Sequence, residues 1–336
     1  MRSRYLIYWL FILLTISSCS KNEQEEIVAT RQLHVLLLPH ELGDMGYGDT
    51  LLRGIQTIRR DAKNIDIRIY QPESIEQGEQ IFYKWATSDA KSQPSLFVVT
   101  ADDYEGMLVR YFKDNDLAKN KEILLFESEN SDELPIYNFT ISSYGASYLA
   151  GIVAAQSTSR PALIVWGNSM DVSTFGAVDG FKDGYYSQQS GNIVATTVLA
   201  NDWTGYVMAN DVYINMSTWT KNYGFIYPIA GGSNNGVYHY LREFPVDTYT
   251  AGFDTDSSHL CSQVVGSTIK HIDRLVIAFI EQWLESYTMP TQGVYGLDSG
   301  YIDWVLAPRF EVQYRDIVEQ ERNTAILKER EYEQGL

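Results

Sequence analysis

Residues 33–54 read LHVLLLPHELGDMGYGDTLLRG. An apolar run from Leu33 to Leu38, interrupted only by His34, feeds a loop holding Gly43, Asp44, Gly46, Tyr47, Gly48 and Asp49. Beyond it Leu51, Leu52, Ile55 and Ile58 recur at helical spacing. A strand without polar alternation is buried on both faces, as in a parallel sheet covered by helices. Glycines at such a strand-to-helix junction let a ligand approach the backbone. Asp44 makes that junction unwelcoming to an anion and hospitable to hydroxyls.

The same alternation continues along the chain. Strands are predicted at IDIRIYQ from Ile65, SLFVVT from Ser95, EILLFE from Glu122 and PIYNFT from Pro135. Others follow at ALIVWG from Ala162, IVATTVL from Ile193, GFIYPIAGG from Gly224 and TYTAGFD from Thr248. Helix-length segments separate most of them, so the class is α/β. A chain of 336 residues exceeds one ordinary core and suits two doubly wound parallel-sheet lobes. The closing segment, from Arg309 to Leu336, is dense in both charge signs and predicts an exposed helix.

In open α/β sheets ligands sit at the carboxyl ends of strands. The residues that follow the predicted strands are therefore the informative ones. They are Asp44 and Tyr47, Ala101 to Asp103, Glu127, Gly167 and Asn168, Asp202 and Trp203, Gly231 to Gly236, and Asp254. Two sheets with facing strand ends would make a cleft between lobes.

Composition narrows the partners. A formal net charge of −17 repels a phosphate backbone, so no nucleic acid is expected. At the amino end Arg2 and Arg4 precede the apolar run YLIYWLFILLTI, the pattern of a secretory signal. ISSC then resembles a bacterial lipobox, with Cys19 as the lipidated residue. Residues 1–18 are thus expected to be a lipoprotein signal peptide and 19–31 a polar tether. The other cysteine, Cys261, has no disulfide partner if Cys19 is lipidated, and reads as a small core residue at a helix start.

Catalytic constellations are scarce. The sequence has no phosphate-cradling GxxxxGK[ST], no HExxH and no CxxC. His34, His40, His239, His259 and His271 lack ligand spacing. GDMGYG is a poor dinucleotide fingerprint, and GNSMD lacks the second glycine of a nucleophile elbow. DTDSSH from Asp254 lacks the glycine and terminal glutamate of a calcium loop. Neither enzymatic activity, a metal nor a cofactor is expected. What remains suits a neutral polar ligand: carboxylates for hydroxyls, and Tyr47 and Trp203 for a planar ring. Each has a structural alternative. Tyr47 and Trp203 can be packing residues at helix starts. Asp44 can cap the helix at Tyr47, Asp254 can cap a helix carrying Lys270, and Lys270 can be a surface lysine.

Several stretches, in order, resemble the basic membrane protein family of bacterial lipoproteins, which includes purine nucleoside receptors of ABC-type importers. LPHELGDMGYGDTLLRGIQ resembles the family's opening Gly-x-Asp-x-x-Gly-Phe-Asn. SYGASYLAGIVAA from Ser143 resembles its Glu-x-Ser-Tyr-Leu-Ala-Gly helix, and FGAVDGFKDGY from Phe175 its Phe-x-x-Gly-Phe-x-x-Gly helix. YPIAGGSNNGVY from Tyr227 resembles its glycine turn. AGFDTDSSHL followed by VVGSTIKHID resembles its Gly-x-Asp-x-Asp strand and lysine-containing helix. The departures are Gly48 in place of Asn, Gly145 in place of Glu, Ser233 and Asn234 within the glycine turn, and Asn235, which shifts it. The charged C-terminal helix lies outside the pattern that carries the resemblance.

The resemblance implies a type I periplasmic-binding-protein architecture whose lobes close on a ligand. It implies Asp44 and Asp254 on ribose, Tyr47 and Trp203 on the two faces of a base, and Lys270 on Asp254 or the ligand. Glu127 would meet the base. Asn168, Gly231 and Gly232 complete the expected set. The lobes are expected at 32–142, with a return segment near 256–290, and at 143–255, with a return near 291–307; the charged helix would occupy 308–336. The implied protein is lipid-anchored in the bacterial cell envelope and passes a purine nucleoside or similar small polar ligand to an ABC permease. A sensor or surface-interaction lipoprotein on the same fold is the alternative.

Overall fold

The computed structural model describes residues 31–335, except 63, 90–92, 129–132, 189–190, 287–288 and 290–291. The expected signal peptide, Cys19 and nearly all of the tether lie outside the described residues. The run that opens the chain forms β1 (Arg31–Leu36), which begins on the last residue assigned to the tether. Helix α1 (Tyr47–Asp61) follows and buries Leu51, Ile55 and Ile58 along one face.

The first lobe continues through β2 (Ile65–Tyr70), α2 (Ile75–Ala86), β3 (Ser95–Val99), α3 (Glu105–Asp114), β4 (Lys121–Phe126) and β5 (Tyr137–Ile141). The second lobe runs through α4 (Tyr144–Ser157), β6 (Ala162–Asn168), α5 (Phe175–Gln188), β7 (Val194–Ala200), α6 (Ala209–Asn222), β8 (Phe225–Ile229), α7 (Asn234–Glu243) and β9 (Tyr249–Asp254). Then come β10 (Val264–Lys270), α8 (Ile272–Ser286), β11 (Gln292–Tyr295), β12 (Ile302–Leu306) and α9 (Glu311–Glu333).

The first sheet has the order β11-β5-β4-β3-β1-β2 and the second β12-β10-β9-β8-β6-β7. All pairings are parallel except β10 with β12. In each sheet the first strand lies between the next two, so each has a switch point where the loops after neighbouring strands part. The chain passes between lobes after β5, after β10 and between β11 and β12.

Helix α4 is apolar nearly all round, and Tyr144 through Ala155 are buried. It meets α5 almost backbone to backbone. A Cβ on Gly180 would stand 2.2 Å from the Tyr144 carbonyl oxygen, and one on Gly184 1.9 Å from that of Tyr148. The glycine spacing of FGAVDGFKDGY is therefore a packing requirement.

Three expectations need correction. VVGSTIK does not form a lysine-containing helix; it is β10, paired with β9 and β12 in the second sheet. Its β-branched residues suit a buried strand, and the single Gly266 does not disturb it because Trp304 covers that position. The return boundaries shift in consequence: β10 belongs to the second sheet, while β11 belongs to the first. Cys261 is buried, but it lies in the turn between β9 and β10 and not at a helix start. Finally, α9 is not simply exposed. It buries Tyr314, Val318, Ala325 and Glu329, and Tyr332 stacks on Tyr144 at 4.7 Å.

Glu329 explains one departure from the family pattern. Its carboxylate accepts the Gly145 N–H at 2.9 Å and the Leu297 N–H at 2.7 Å. A Cβ on Gly145 would lie 3.1 Å from that carboxylate. An acid reaching in from α9 thus occupies the space beside Gly145, and it ties together two of the segments on which the chain passes between lobes. Ser142 Oγ donates to Glu333 at 2.5 Å alongside.

Candidate functional site

A cavity opens between the facing strand ends. Its walls come from the loops after β1, β3 and β4 in the first lobe and after β6, β7, β8, β9 and β10 in the second. This is the switch-point crevice on both sides at once. Asp44, Tyr47, Glu127, Trp203, Gly231, Gly232, Asp254 and Lys270 all line it. Asn168 does not. It is 2% exposed, and its Oδ1 accepts the Met170 N–H at 2.9 Å, so it shapes the turn that follows β6.

At the floor, Lys270 Nζ crosses from the second lobe to Glu127 Oε1 at 3.0 Å, with both side chains buried. Asp254 stands beside the pair. Glu127 has φ 55° and Asp254 φ 70°, a left-handed backbone that non-glycine residues adopt at a cost of about 1–3 kcal/mol. Of the five such residues among those described, His40, Glu127 and Asp254 line the cavity. Burial pushes Asp254 up to about 7, although Lys270 opposes the rise. Burial likewise raises Glu127 more than Lys270 lowers it. Burial pulls Lys270 down, yet Glu127 and Asp254 outweigh it and raise its pKa. All three groups therefore hold their protons more tightly than they would in water.

Asp44 does cap α1. It accepts the N–H groups of Gly46 at 2.7 Å, Gly48 at 3.2 Å and Asp49 at 3.3 Å. Tyr47 begins that helix and lies under Lys270, whose Nζ is 5.7 Å from the ring centre. Its hydroxyl is buried and has no hydrogen-bond partner among the described residues. Trp203 stacks on His40 across the cleft at 6.1 Å. Gly231 has φ 51°, and a Cβ on Gly232 would lie 3.5 Å from Asp44. The lobes also bond directly at the rim: Asn235 Nδ2 donates to the Asp44 carbonyl at 3.1 Å, and Thr255 Oγ1 to that of Met45 at 3.1 Å. Residue 235, which shifts the glycine turn, thereby fastens the two lobes.

Other lining groups lie outside the expected set. Glu41 accepts the Leu38 N–H at 2.7 Å and the Thr100 hydroxyl at 3.0 Å, and burial pushes it up to about 8. A Cβ on Gly48 would come within 2.5 Å of Glu41, which accounts for glycine there. Asp102 and Asp103, flagged only as strand-end residues, project from the loop after β3. Asp171 accepts the Tyr206 hydroxyl and the Ser173 N–H, the latter at 3.0 Å. Tyr206 lies three residues beyond Trp203 and Asp171 three beyond Asn168, each in a short 3-10 turn or at its cap. Among the described residues no group of three or more His, Cys, Asp or Glu side chains is arranged to hold a metal. Asp256 of DTDSSH instead accepts the Ser258 N–H at 2.9 Å. No helix among the described residues is long and apolar enough to cross a membrane.

Comparison with known proteins agrees with this geometry. Residues 32–334 match the family model for PnrA-like ABC transporter substrate-binding proteins, a span that includes α9. Basic membrane protein C of Borreliella burgdorferi is 23% identical over 333 residues, covering 89% of this chain and 88% of that protein. A solute-binding protein of an ABC transporter system from Aeropyrum pernix K1 superposes with a TM-score of 0.68 at 14% identity, over 89% of this chain and 86% of that one. A solute-binding protein from Burkholderia graminis C4D1M, solved with D-arabinose, does so with a TM-score of 0.61 at 13% identity, over 85% and 98%. These likenesses establish the type I periplasmic-binding-protein fold. With most of its length matched, the chain belongs to the PnrA-like family of ABC transporter substrate-binding proteins.

Proposed function

We propose that this protein captures a purine nucleoside or a similar hydroxyl-bearing ring compound in the interlobe cavity and presents it, unchanged, to an ABC permease. The observation that carries this reading is the cavity wall itself. Aromatic rings from both lobes, Tyr47, Trp203 and Tyr206, share it with carboxylates at strand ends of both lobes. Rings suit a planar base, and carboxylates suit ribose hydroxyls. Asp254 beside Lys270 would hold the sugar, and Tyr47 would stack on the base. Closure supplies the affinity, since rim and floor contacts between lobes form only when both walls meet.

Anchoring through Cys19 is part of the proposal and rests on the order of basic start, apolar core, small residues and cysteine. Arabinose in the Burkholderia relative supports a hydroxyl-rich ligand for the fold.

Thermal unfolding against a panel of nucleosides, free bases and sugars tests the reading. A true ligand at about a hundredfold excess over Kd stabilises by about 2.7 kcal/mol. Asp254→Ala and Tyr47→Ala should each weaken binding about tenfold or more while leaving the protein folded. Unchanged affinity in both variants would remove these residues from the site.

A further inference from the structure

Among the described residues, seven carboxylates and one lysine line the cavity. Most of the seven are committed. Glu127 and Asp254 share Lys270; Asp44 caps α1; Glu41 holds Leu38 and Thr100; Asp171 holds Tyr206 and Ser173. Asp102 is not, and Asp103 accepts only its own backbone N–H. The Asp102 carboxylate has no hydrogen-bond or ion-pair partner among the described residues, and the charges acting on it are all like charges: Asp171, Asp103, Glu127 and Glu105. Burial, and then the like charges of Asp171 and Asp202, raise Asp103. Asp102 and Asp103 belong to the first lobe and Asp171 to the second, so closing the cleft drives carboxylates toward one another. Among the described residues no lining lysine or arginine other than Lys270 offsets that. Tyr47 lines the same cavity with a buried hydroxyl that has no hydrogen-bond partner among the described residues.

We propose that the natural solute carries a positive charge, a protonated amine seated between Asp102 and Asp103 of the first lobe and Asp171 of the second. This rests on the interlobe cavity being the solute site. Such a cation touches both lobes only when they are closed, so it draws the proton from the crowded acids and ties the two walls together. Tyr206 and Trp203 supply aromatic faces that a cation also favours. The remainder of the molecule keeps the hydroxyls and ring that suit the floor.

The test uses the full chain and calorimetric titration of matched probes: adenosine against 5′-amino-5′-deoxyadenosine, and glucose against glucosamine, with putrescine as an amine that lacks a ring. In at least one ring pair the amine should bind about tenfold tighter or more than its neutral partner. Its affinity should rise from about pH 5.5 to about pH 7.5, because binding a cation expels protons that the crowded acids hold when the cavity is empty. Asp102→Asn combined with Asp103→Asn should collapse the ratio of the two affinities, and an unfolding scan of the unliganded variant confirms that it is folded. Neutral partners binding as tightly as amines, or affinity rising as pH falls, would overturn the charge assignment and leave the nucleoside reading intact. Putrescine binding as tightly as the ring amines would retain the cation and remove the nucleoside. Failure of every probe would contradict the nucleoside reading and this inference with it.

Discussion

The two lobes repeat one strand order, β2-β1-β3-β4-β5 in the first and β7-β6-β8-β9-β10 in the second. Equivalent strand ends can therefore be compared. β4 is followed by Glu127 and β9 ends in Asp254; both have positive φ, and both act on Lys270. At this pair of positions the lobes agree, and the agreement forms a latch across the floor. The loops after β3 and β8 disagree. The first lobe presents Asp102 and Asp103 there, and the second presents Gly231 and Gly232. One side offers charge and the other offers backbone and room. Matched positions hold the lobes together, while mismatched positions give the cavity its polarity.

Removing the shared partner should break the comparison most severely. Lys270→Met leaves two buried acids without their cation, and should cost about 3 kcal/mol or more in chemical denaturation near neutral pH. The loss should shrink in acid, where protonated Glu127 and Asp254 no longer need a cation. Glu329→Ala provides a contrast away from the cavity. It orphans the Gly145 and Leu297 N–H groups and should cost about 2 kcal/mol in the same measurement, with solute preference unaltered.

The buried acids predict a pH trend. Burial raises Asp103 to about 6, Asp254 and Glu329 to about 7 and Glu41 to about 8. Burial, and then Asp171, raises Asp102 as well. An acid whose folded pKa exceeds its unfolded value holds its proton in the folded state. Its contribution is complete below the unfolded pKa and is lost as pH rises through the folded pKa. The unliganded protein should thus lose stability from about pH 5 to about pH 8, by up to about 1.4 kcal/mol per pH unit for each group in its window. Asp102→Asn should flatten the slope, and denaturation midpoints across that range measure it. The smallest effect belongs to the rim. Asn235→Ala removes one bond to the Asp44 carbonyl and should weaken solute binding by about 1 kcal/mol without changing unfolding.

Much of the fold was legible because parallel strands buried on both faces are written as apolar runs. Each of the nine predicted strands corresponds to one in the structure. β10 was not, since its glycine and polar residues break such a run and only the neighbouring strands and Trp304 make sense of them. The site was legible where its residues sit directly at strand ends, as Glu127 and Asp254 do. It was hidden where short 3-10 turns carry the inward side chain farther on, as with Asp171 and Tyr206. Gly48 and Gly145 read in the sequence only as departures from the family pattern. Their meaning lies in Glu41 and Glu329, which occupy the adjacent space from elsewhere in the chain, one seven residues away and the other across 184.

The central claim is capture without chemistry in an acid-lined cleft. Native mass spectrometry tests it most directly, with the full chain incubated in a mixture of purine nucleosides, their 5′-amino analogues and their 5′-monophosphates. One nucleoside or amino analogue bound per chain, released with its mass unchanged, is the predicted result. A bound monophosphate, or a solute released as separate base and sugar, would contradict it.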